Sequence, residues 1–451
     1  MQTRGLMRLR AVTVLCAALI PGYAYSGGHG LALGPPAGIP MPELPSMARG
    51  PNGLPDPSRA ARGDVAAEAA TRGLIAASEA HRARARELWR ANRDVLDFDP
   101  ERHLIVRNEI VALDPAVEAI AAAQARGFVV RRQEALEGLD AAEIVLEAPR
   151  GISPRRALRQ LRAADPGGAY DYNHIYFESG TAGSPAGMPQ RHAGATRARR
   201  VGLIDGGIAV AHPALQSVAV HTHGCSGAPV PSLHGTEVAS LLADAGNESA
   251  SAPRKTELYA ADVYCGAPTG GAADALIEAL AWLVRERVPV INVSLVGPPN
   301  ALLGRAIDLA AQRGYLIVAA VGNDGPAAPP LYPAAYPQVV AVTGVDRSKK
   351  VLLEAGRGTH VDFAAPAADM FAASLPDGRS QVRGTSFAAP IVAGLLAERL
   401  DHPDRALADE AMRELIASAI DLGARGYDPV YGNGFVSRDL PTTSAPVAQA
   451  R

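Results

Sequence analysis

The chain has 451 residues, 48% of them hydrophobic and 20% charged, with a formal net charge of -2. That is enough chain for two or three domains and at least one large core. So even a charge balance gives no reason to expect nucleic acid or an anionic membrane as partner. Glycine and proline are plentiful, at 45 and 36 residues, and unevenly spread, which points to linkers.

Residues 1–26 read as a signal peptide. Arg4, Arg8 and Arg10 form a positive start, Ala11 to Ile20 an apolar run, and Gly22, Ala24 and Ser26 supply small residues for cleavage after Ala24 or Ser26. Leu15, before Cys16, is not the small residue of a lipoprotein signal. The apolar run is too short to span a bilayer, and no later stretch reaches about 18 apolar residues without charges. Export without a membrane anchor is therefore expected, to the periplasm or the exterior. Residues 27–102 divide into a Gly/Pro-rich linker and, from Ala60 to Asn92, an Ala/Arg/Glu-rich solvated helix. Gly28-His29-Gly30 follows no strand and opens no helix, so it is no nucleotide loop.

Residues 103–178 have a pattern of their own. Strand-like Leu104 to Ala112 leads to Asp114-Pro115, a helix start, and that helix stops at Gly127. Phe128 to Arg132 and Ile144 to Ala148 read as strands. Ser153-Pro154 starts a second helix to Ala164, and Tyr170 to Phe177 gives a last strand. The order β-α-β-β-α-β is that of a small ferredoxin-like α+β domain. Residues 179–199, rich in Gly, Ala, Ser and Arg, read as an exposed linker open to proteolysis.

From residue 200 to 440 strands alternate with helices. Strands are expected at Arg200–Ile204, Leu258–Tyr264, Val288–Leu295, Tyr315–Val321 and Val339–Val345, and helices at Gly235–Ala245, Ala272–Arg285 and Ala301–Arg313. Continuous apolar strands alternating with helices imply an α/β fold, a mostly parallel sheet covered on both faces. Functional residues of such sheets gather at the C-terminal ends of the strands. Asp205 and Asn323 each follow an apolar strand directly. Residues 441–451 read as a disordered tail.

If the signal is removed, two cysteines remain, Cys225 and Cys265. An even pair in an exported protein points to one disulfide, with two buried free thiols as the alternative. His221-Thr222-His223-Gly224-Cys225 has metal-ligand residue types but no second paired cluster, and reads as a solvated loop.

Three segments carry chemistry. Val201-Gly202-Leu203-Ile204-Asp205-Gly206-Gly207 delivers an acid at a strand end. His234-Gly235-Thr236-Glu237-Val238-Ala239-Ser240 opens an apolar helix with a histidine. Gly384-Thr385-Ser386-Phe387-Ala388-Ala389-Pro390 sets a serine before an apolar run to Leu396. A serine there is ordinarily a helix cap. With a base and an orienting acid it becomes a nucleophile: histidine takes its proton, and the acid fixes the tautomer and stabilises the imidazolium. The order Asp, His, Ser, at spacings of 29 and 152 residues, resembles that of the subtilisin-like (subtilase) serine proteases.

The resemblance covers about Arg200 to Val436 and implies a three-layer subtilisin-like fold with Asp205, His234 and Ser386 as the catalytic triad. It implies Asn323, in Ala319-Ala320-Val321-Gly322-Asn323-Asp324-Gly325, as an oxyanion-hole donor beside the Ser386 N–H. It makes Ser294, Leu295, Val296 and Gly297 the edge that pairs with substrate, with Ala320 and Gly322 opposite. It makes residues 103–178 an inhibitory propeptide with Tyr172-Asn173-His174-Ile175-Tyr176 against the cleft, and 179–199 the maturation site. The expected product is an exported, self-processed serine endopeptidase, acting as a monomer on proteins or peptides. Two other readings remain: a silent peptide-binding member, which loss of a triad residue would favour, and an esterase, which lacks its G-x-S-x-G elbow here.

The sequence also departs from the family. Val296 and Ala334 stand where glycines are usual, so small or medium apolar side chains are expected before the cleaved bond. Glu237 and Ser240 replace a histidine and a glycine. The Gly432-Asn433-Gly434 segment resembles the family's closing motif. No cofactor is expected. Many relatives bind calcium, no Asp-rich loop of that kind stands out here, and a calcium requirement is left open.

Overall fold

Strand β8 (Ala198–Asp205) shows how the larger part of the molecule is layered. Its alternate side chains point to opposite faces: Val201 and Leu203 into one apolar cluster, Ile204 into another. A strand buried on both faces belongs in the middle of a covered parallel sheet, and β8 lies there. The computed structural model describes residues 79–186, 198–244 and 255–437. The signal peptide, the linker up to residue 78 and the C-terminal tail expected from the sequence lie outside them, as does most of the 179–199 linker.

In chain order, residues 79–91 form a helix, α1. Then come β1 (Leu96–Phe98), β2 (Leu104–Leu113), α2 (Val117–Ala125), β3 (Val129–Leu136), β4 (Ala141–Glu147), α3 (Pro154–Ala164) and β5 (Ala169–His174). The expected β-α-β-β-α-β order is present from β2 to β5, with β1 as an added short strand. β2 pairs antiparallel with β5 on one side and with β1 and β4 on the other, and β3 lies beyond β4. One face of this sheet carries Ile110 and Ala112 of β2 against α2 and α3. The other carries Val111 and Leu113 into the core of the following part. The expected solvated helix is only partly so: α1 buries Ala85 and sets Leu88 and Trp89 against Leu96, Ile175 and Phe177.

Two short strands follow, β6 (Phe177–Glu178) and β7 (Thr181–Ala186), and then β8, β9 (Ala219–His223), α4 (Leu233–Asp244), β10 (Lys255–Asp262), α5 (Ala273–Arg285), β11 (Val290–Val293), β12 (Leu295–Val296), α6 (Ala301–Gln312), β13 (Leu316–Ala320) and β14 (Val339–Val345). Last come β15 (Phe363–Pro366), β16 (Ala368–Ser374), β17 (Gly378–Arg383), α7 (Ala389–Ala397) and α8 (Arg405–Ser418). The seven-stranded sheet runs β15-β14-β13-β11-β8-β10-β9, parallel throughout. Helices α4, α7 and α8 cover one face, α5 and α6 the other. All nine residues of α7 are buried, as a helix apolar all round requires. No helix among the described residues is long and apolar enough to cross a membrane.

The first sheet is docked on the second part by polar contacts as well. Asp171 of β5 accepts the backbone N–H of Ala301 (2.7 Å), and Asn173 that of Asp274 (3.2 Å). Both donors lie in the first turns of α6 and α5, where N–H groups lack intrahelical partners and the helix dipole favours an acid. Arg132 pairs with Asp274, and Arg313 reaches back to Leu139 O (3.0 Å) and Asp140 (2.8 Å).

Cys225 and Cys265 lie at disulfide distance, 2.18 Å between sulfurs and 5.2 Å between Cα atoms. A bond here closes a loop with a sequence separation of 40. Replacing both cysteines by serine is expected to lower stability by about 2–4 kcal/mol, read as the shift in urea midpoint between oxidised wild type and variant. The loop expected around His221 and His223 is instead strand β9. The two rings stack on Tyr259 (4.3 Å) and Trp282 (4.7 Å), so a polar-looking run was an edge strand with its histidines laid on aromatic faces.

Candidate active site

Asp205 is the last residue of β8 and is fully buried. Its Oδ1 accepts from the Gly206 N–H (2.7 Å) and lies 2.9 Å from His234 Nδ1. His234 stands in the first turn of α4, whose start is fixed by Ser232: the serine Oγ accepts the Gly235 N–H at 2.9 Å. Gly235 is required by proximity, since a Cβ there would lie 2.2 Å from Gly206 O. That close approach lets the helix bring its histidine onto the strand-end acid.

Ser386 lies in a single 3-10 turn, Thr385–Phe387, just ahead of α7. Its Oγ donates to Ser294 O at 3.3 Å, while Ser294 Oγ donates to Ser386 O at 2.9 Å. His234 Nε2 is buried and has no hydrogen-bond partner among the described residues. The acid–histidine link is thus formed and the serine hydroxyl is turned toward β12 rather than toward the ring. Phe387 packs beside the imidazole, with centroids 5.7 Å apart.

Asn323 sits just past the C-terminal end of β13. Its Oδ1 accepts the Thr385 N–H (3.1 Å), which aims the amide nitrogen at Ser179, whose Oγ it meets at 2.9 Å. The Ser386 N–H donates to the backbone carbonyl of Ser179 at 3.2 Å. Thr385 Oγ1 in turn accepts the Gly322 N–H (3.1 Å). The chain ahead of Ser179 lies along the β12 edge: β6 pairs antiparallel with β12, Phe177 opposite Val296 and Glu178 opposite Leu295. Leu295 and Val296 are the residues of that edge that pair with the segment, and the residues nearest the centre are Phe177 to Ser179 rather than Tyr172 to Tyr176. No local sequence feature of Phe-Glu-Ser-Gly marks it; only the docking does.

The electrostatics follow from burial around three carboxyl groups. Burial works against the His234 imidazolium, but Asp205 first, with Glu178 and Glu237 behind it, outweighs it and pushes the ring up to about 9. Burial also raises Glu178, against the opposing pull of His234, and Arg84 approaches its carboxylate at 3.9 Å. Glu237, one turn along α4 from His234, is raised by burial to about 7 although Ser380 Oγ donates to it at 3.1 Å. With Ser240, whose Oγ accepts the Ala373 N–H (2.9 Å), it ties α4 to β16 and β17. That is what the two departures in the histidine motif do structurally.

Glu178, Asp205 and His234 offer ligand atoms within 4.8 Å of one another, as do Asp99, His103 and His174, and Cys225, Asp262 and Cys265. Among the described residues none of these groups is the all-oxygen set that calcium takes.

Residues 197–434 match the sequence profile of the Subtilase family. The chain is 31% identical over 246 residues to subtilisin DY of Bacillus licheniformis, covering 53% of this chain and 88% of that protein. It is 31% identical over 305 residues to subtilisin E of Bacillus subtilis, covering 62% and 77%. Among solved structures, fervidolysin from Fervidobacterium pennivorans superposes with a TM-score of 0.59 at 17% identity, over 74% of this chain and 60% of that one, a likeness of fold. A seven-stranded parallel sheet between helical layers, an acid–histidine pair at its rim and the matched profile agree, and the chain belongs to the subtilase family.

Proposed function

We propose that the protein is a serine endopeptidase made as an exported, self-processed precursor. Ser386 is the nucleophile, His234 the base and Asp205 the residue that orients and stabilises the imidazolium. The observation that carries this reading is a peptide carbonyl, that of Ser179, accepting from the Ser386 N–H at 3.2 Å beside the paired His234 and Asp205. A rotation of the Ser386 hydroxyl from Ser294 O toward His234 Nε2 completes the relay; such bonds commonly tighten only in the reacting complex. Asn323 and the Ser386 N–H stabilise the oxyanion.

Residues 103–178 act as an intramolecular inhibitor, which their docking on α5, α6 and β12 supports. The mature enzyme is a monomer acting on proteins or peptides, in the periplasm or outside the cell, and Cys225 and Cys265 form a disulfide suited to that setting. Hydrolysis of casein by purified protein tests the reading, with a Ser386→Ala control. Casein cleaved equally by both proteins would reject it, and casein left whole by active-site-intact mature protein would favour a silent binding role.

Asn323→Ala is expected to lower kcat by about 10²–10³, with KM little changed, in steady-state kinetics. That is the loss on removing the corresponding asparagine of a subtilisin.

The raised histidine gives a pH prediction. In the folded precursor His234 stays protonated below about 9, against 6.5 for a free ring, and a protonated ring cannot accept the Ser386 proton. Self-processing should therefore accelerate as pH rises toward about 9. Asp205, Glu178 and Glu237 all face the ring, and Glu178→Gln removes one of the three, so its limb should move to lower pH. The same shift stabilises the precursor fully below pH 6.5, a contribution lost as pH rises through about 9. Processing rates across pH 6 to about 10 for both precursors check the sign.

A further inference from the structure

Resting on the protease reading, we propose that the precursor cuts its own Ser179–Gly180 bond, and that Leu331 together with Val296 restricts the residue before the cut to a small one.

The chain passes through the site as an extended substrate. Upstream, Ile175 bridges antiparallel to Ala272, Tyr176 N–H donates to Gly271 O (2.8 Å), and Tyr264 Oη donates to Tyr176 O (2.9 Å). On the other side Phe177 and Glu178 pair with β12. Residues 175–178 are thus held between two backbone edges, the mode by which extended peptides are recognised. Downstream, β7 adds antiparallel to β17, Thr181 opposite Arg383, on the strand that leads into Ser386. Between these anchors lie only Ser179 and Gly180. The polarised carbonyl belongs to Ser179, and a Cβ on Gly180 would stand 3.5 Å from His234 Nε2, so the leaving nitrogen is on the histidine side.

The side-chain register supports a stated preference. Tyr176, fourth before the bond, is fully buried; its ring lies over Gly297, where a Cβ would come within 2.4 Å, and its hydroxyl donates to Pro298 O (2.9 Å). By the subtilase resemblance the side chain next to the bond enters between the Val296 edge and Gly322. That gap is closed: a Cβ on Gly322 would sit 2.5 Å from Leu331 Cδ1 and 3.4 Å from Val296 Cγ1. A serine fits, and its hydroxyl turns to Asn323 instead.

In the step itself Ser386 Oγ adds to the Ser179 carbonyl carbon and its proton passes to His234 Nε2. The C–N bond to Gly180 breaks as its nitrogen takes that proton, leaving an ester between Ser179 and Ser386. Water then adds to the ester carbon and gives a proton to His234, which returns it to Ser386 Oγ as the ester breaks. The products are a Ser179 carboxylate and a free Gly180 amine.

The test is intact mass of the fragments formed by the purified full-length precursor. The released N-terminal fragment is expected to end at Ser179. An end at another residue, in protein whose Ser386 takes a fluorophosphonate label, overturns the bond assignment while the protease reading stands; absence of label in folded protein removes the reading itself. For the pocket, Ser179→Phe should slow processing at least about tenfold, and adding Leu331→Gly should recover most of that loss. Processing of Ser179→Phe at the wild-type rate, or no recovery in folded double variant, contradicts the role of Leu331.

Discussion

Ser386→Ala should lower peptide hydrolysis by about 10⁶-fold and leave the precursor uncut. The magnitude is that known for removing the nucleophile of a subtilisin. The structural cost should be small, because the lost hydroxyl makes one bond, to Ser294 O at 3.3 Å, whereas the backbone of Ser386 holds the more important contacts to Ser179 O and Ser294 Oγ. The alanine protein should therefore fold, with an unfolding free energy in urea within about 1 kcal/mol of the wild type. Processing of the variant at the normal bond and rate would show that another protease does the cutting.

Asp205→Asn should cost about 10⁴ in kcat with the fold intact, a figure for triad acids generally. The side chain is fully buried and bridges two donors, the Gly206 N–H at 2.7 Å and His234 Nδ1 at 2.9 Å. An amide in that space can keep one oxygen bond but removes the charge that offsets burial of the imidazolium, and it stabilises the wrong tautomer. The raised histidine should fall, since burial lowers it and the largest of the charges that offset burial is gone, with only Glu178 and Glu237 left to oppose it. Loss of activity with the limb of the pH profile displaced downward is expected; a tenfold loss or less, with an unmoved limb, would argue that Asp205 has no part in setting the base.

How much of this could be read from the chain varied with how local the signal was. The central strands were legible because their residues are apolar on both faces: Val201 to Ile204 and Val339 to Val345 each read as continuous runs. Strands β9, β16 and β17 were not expected, since His221, His223, Arg379 and Gln381 break any apolar pattern, and such strands are held by pairing rather than by burial. Helix α8 was missed although Asp404 caps it, accepting the Leu407 N–H at 3.0 Å, and Ala408, Ala411 and Leu415 line its buried face. Asp205, His234 and Ser386 stood out because each ends or opens an apolar element. The contact of Ser179 with that centre was not visible, because it depends on how a separate sheet seats Asp171 and Asn173 on two helix starts. Val296 was expected to narrow the pocket; Leu331, reaching in from a loop, carried no motif and emerged only from the packing around Gly322.

The central claim, that the hydroxyl at position 386 is activated by the buried histidine–aspartate pair, is tested most directly by covalent mapping. Mature protein is treated with a fluorophosphonate and digested, and the modified peptide is sequenced by mass spectrometry. The account predicts one adduct, on Ser386, formed rapidly in wild type and at least about a thousandfold more slowly in His234→Ala. An adduct on a different residue, or equal labelling of Ser386 without the histidine, would contradict it.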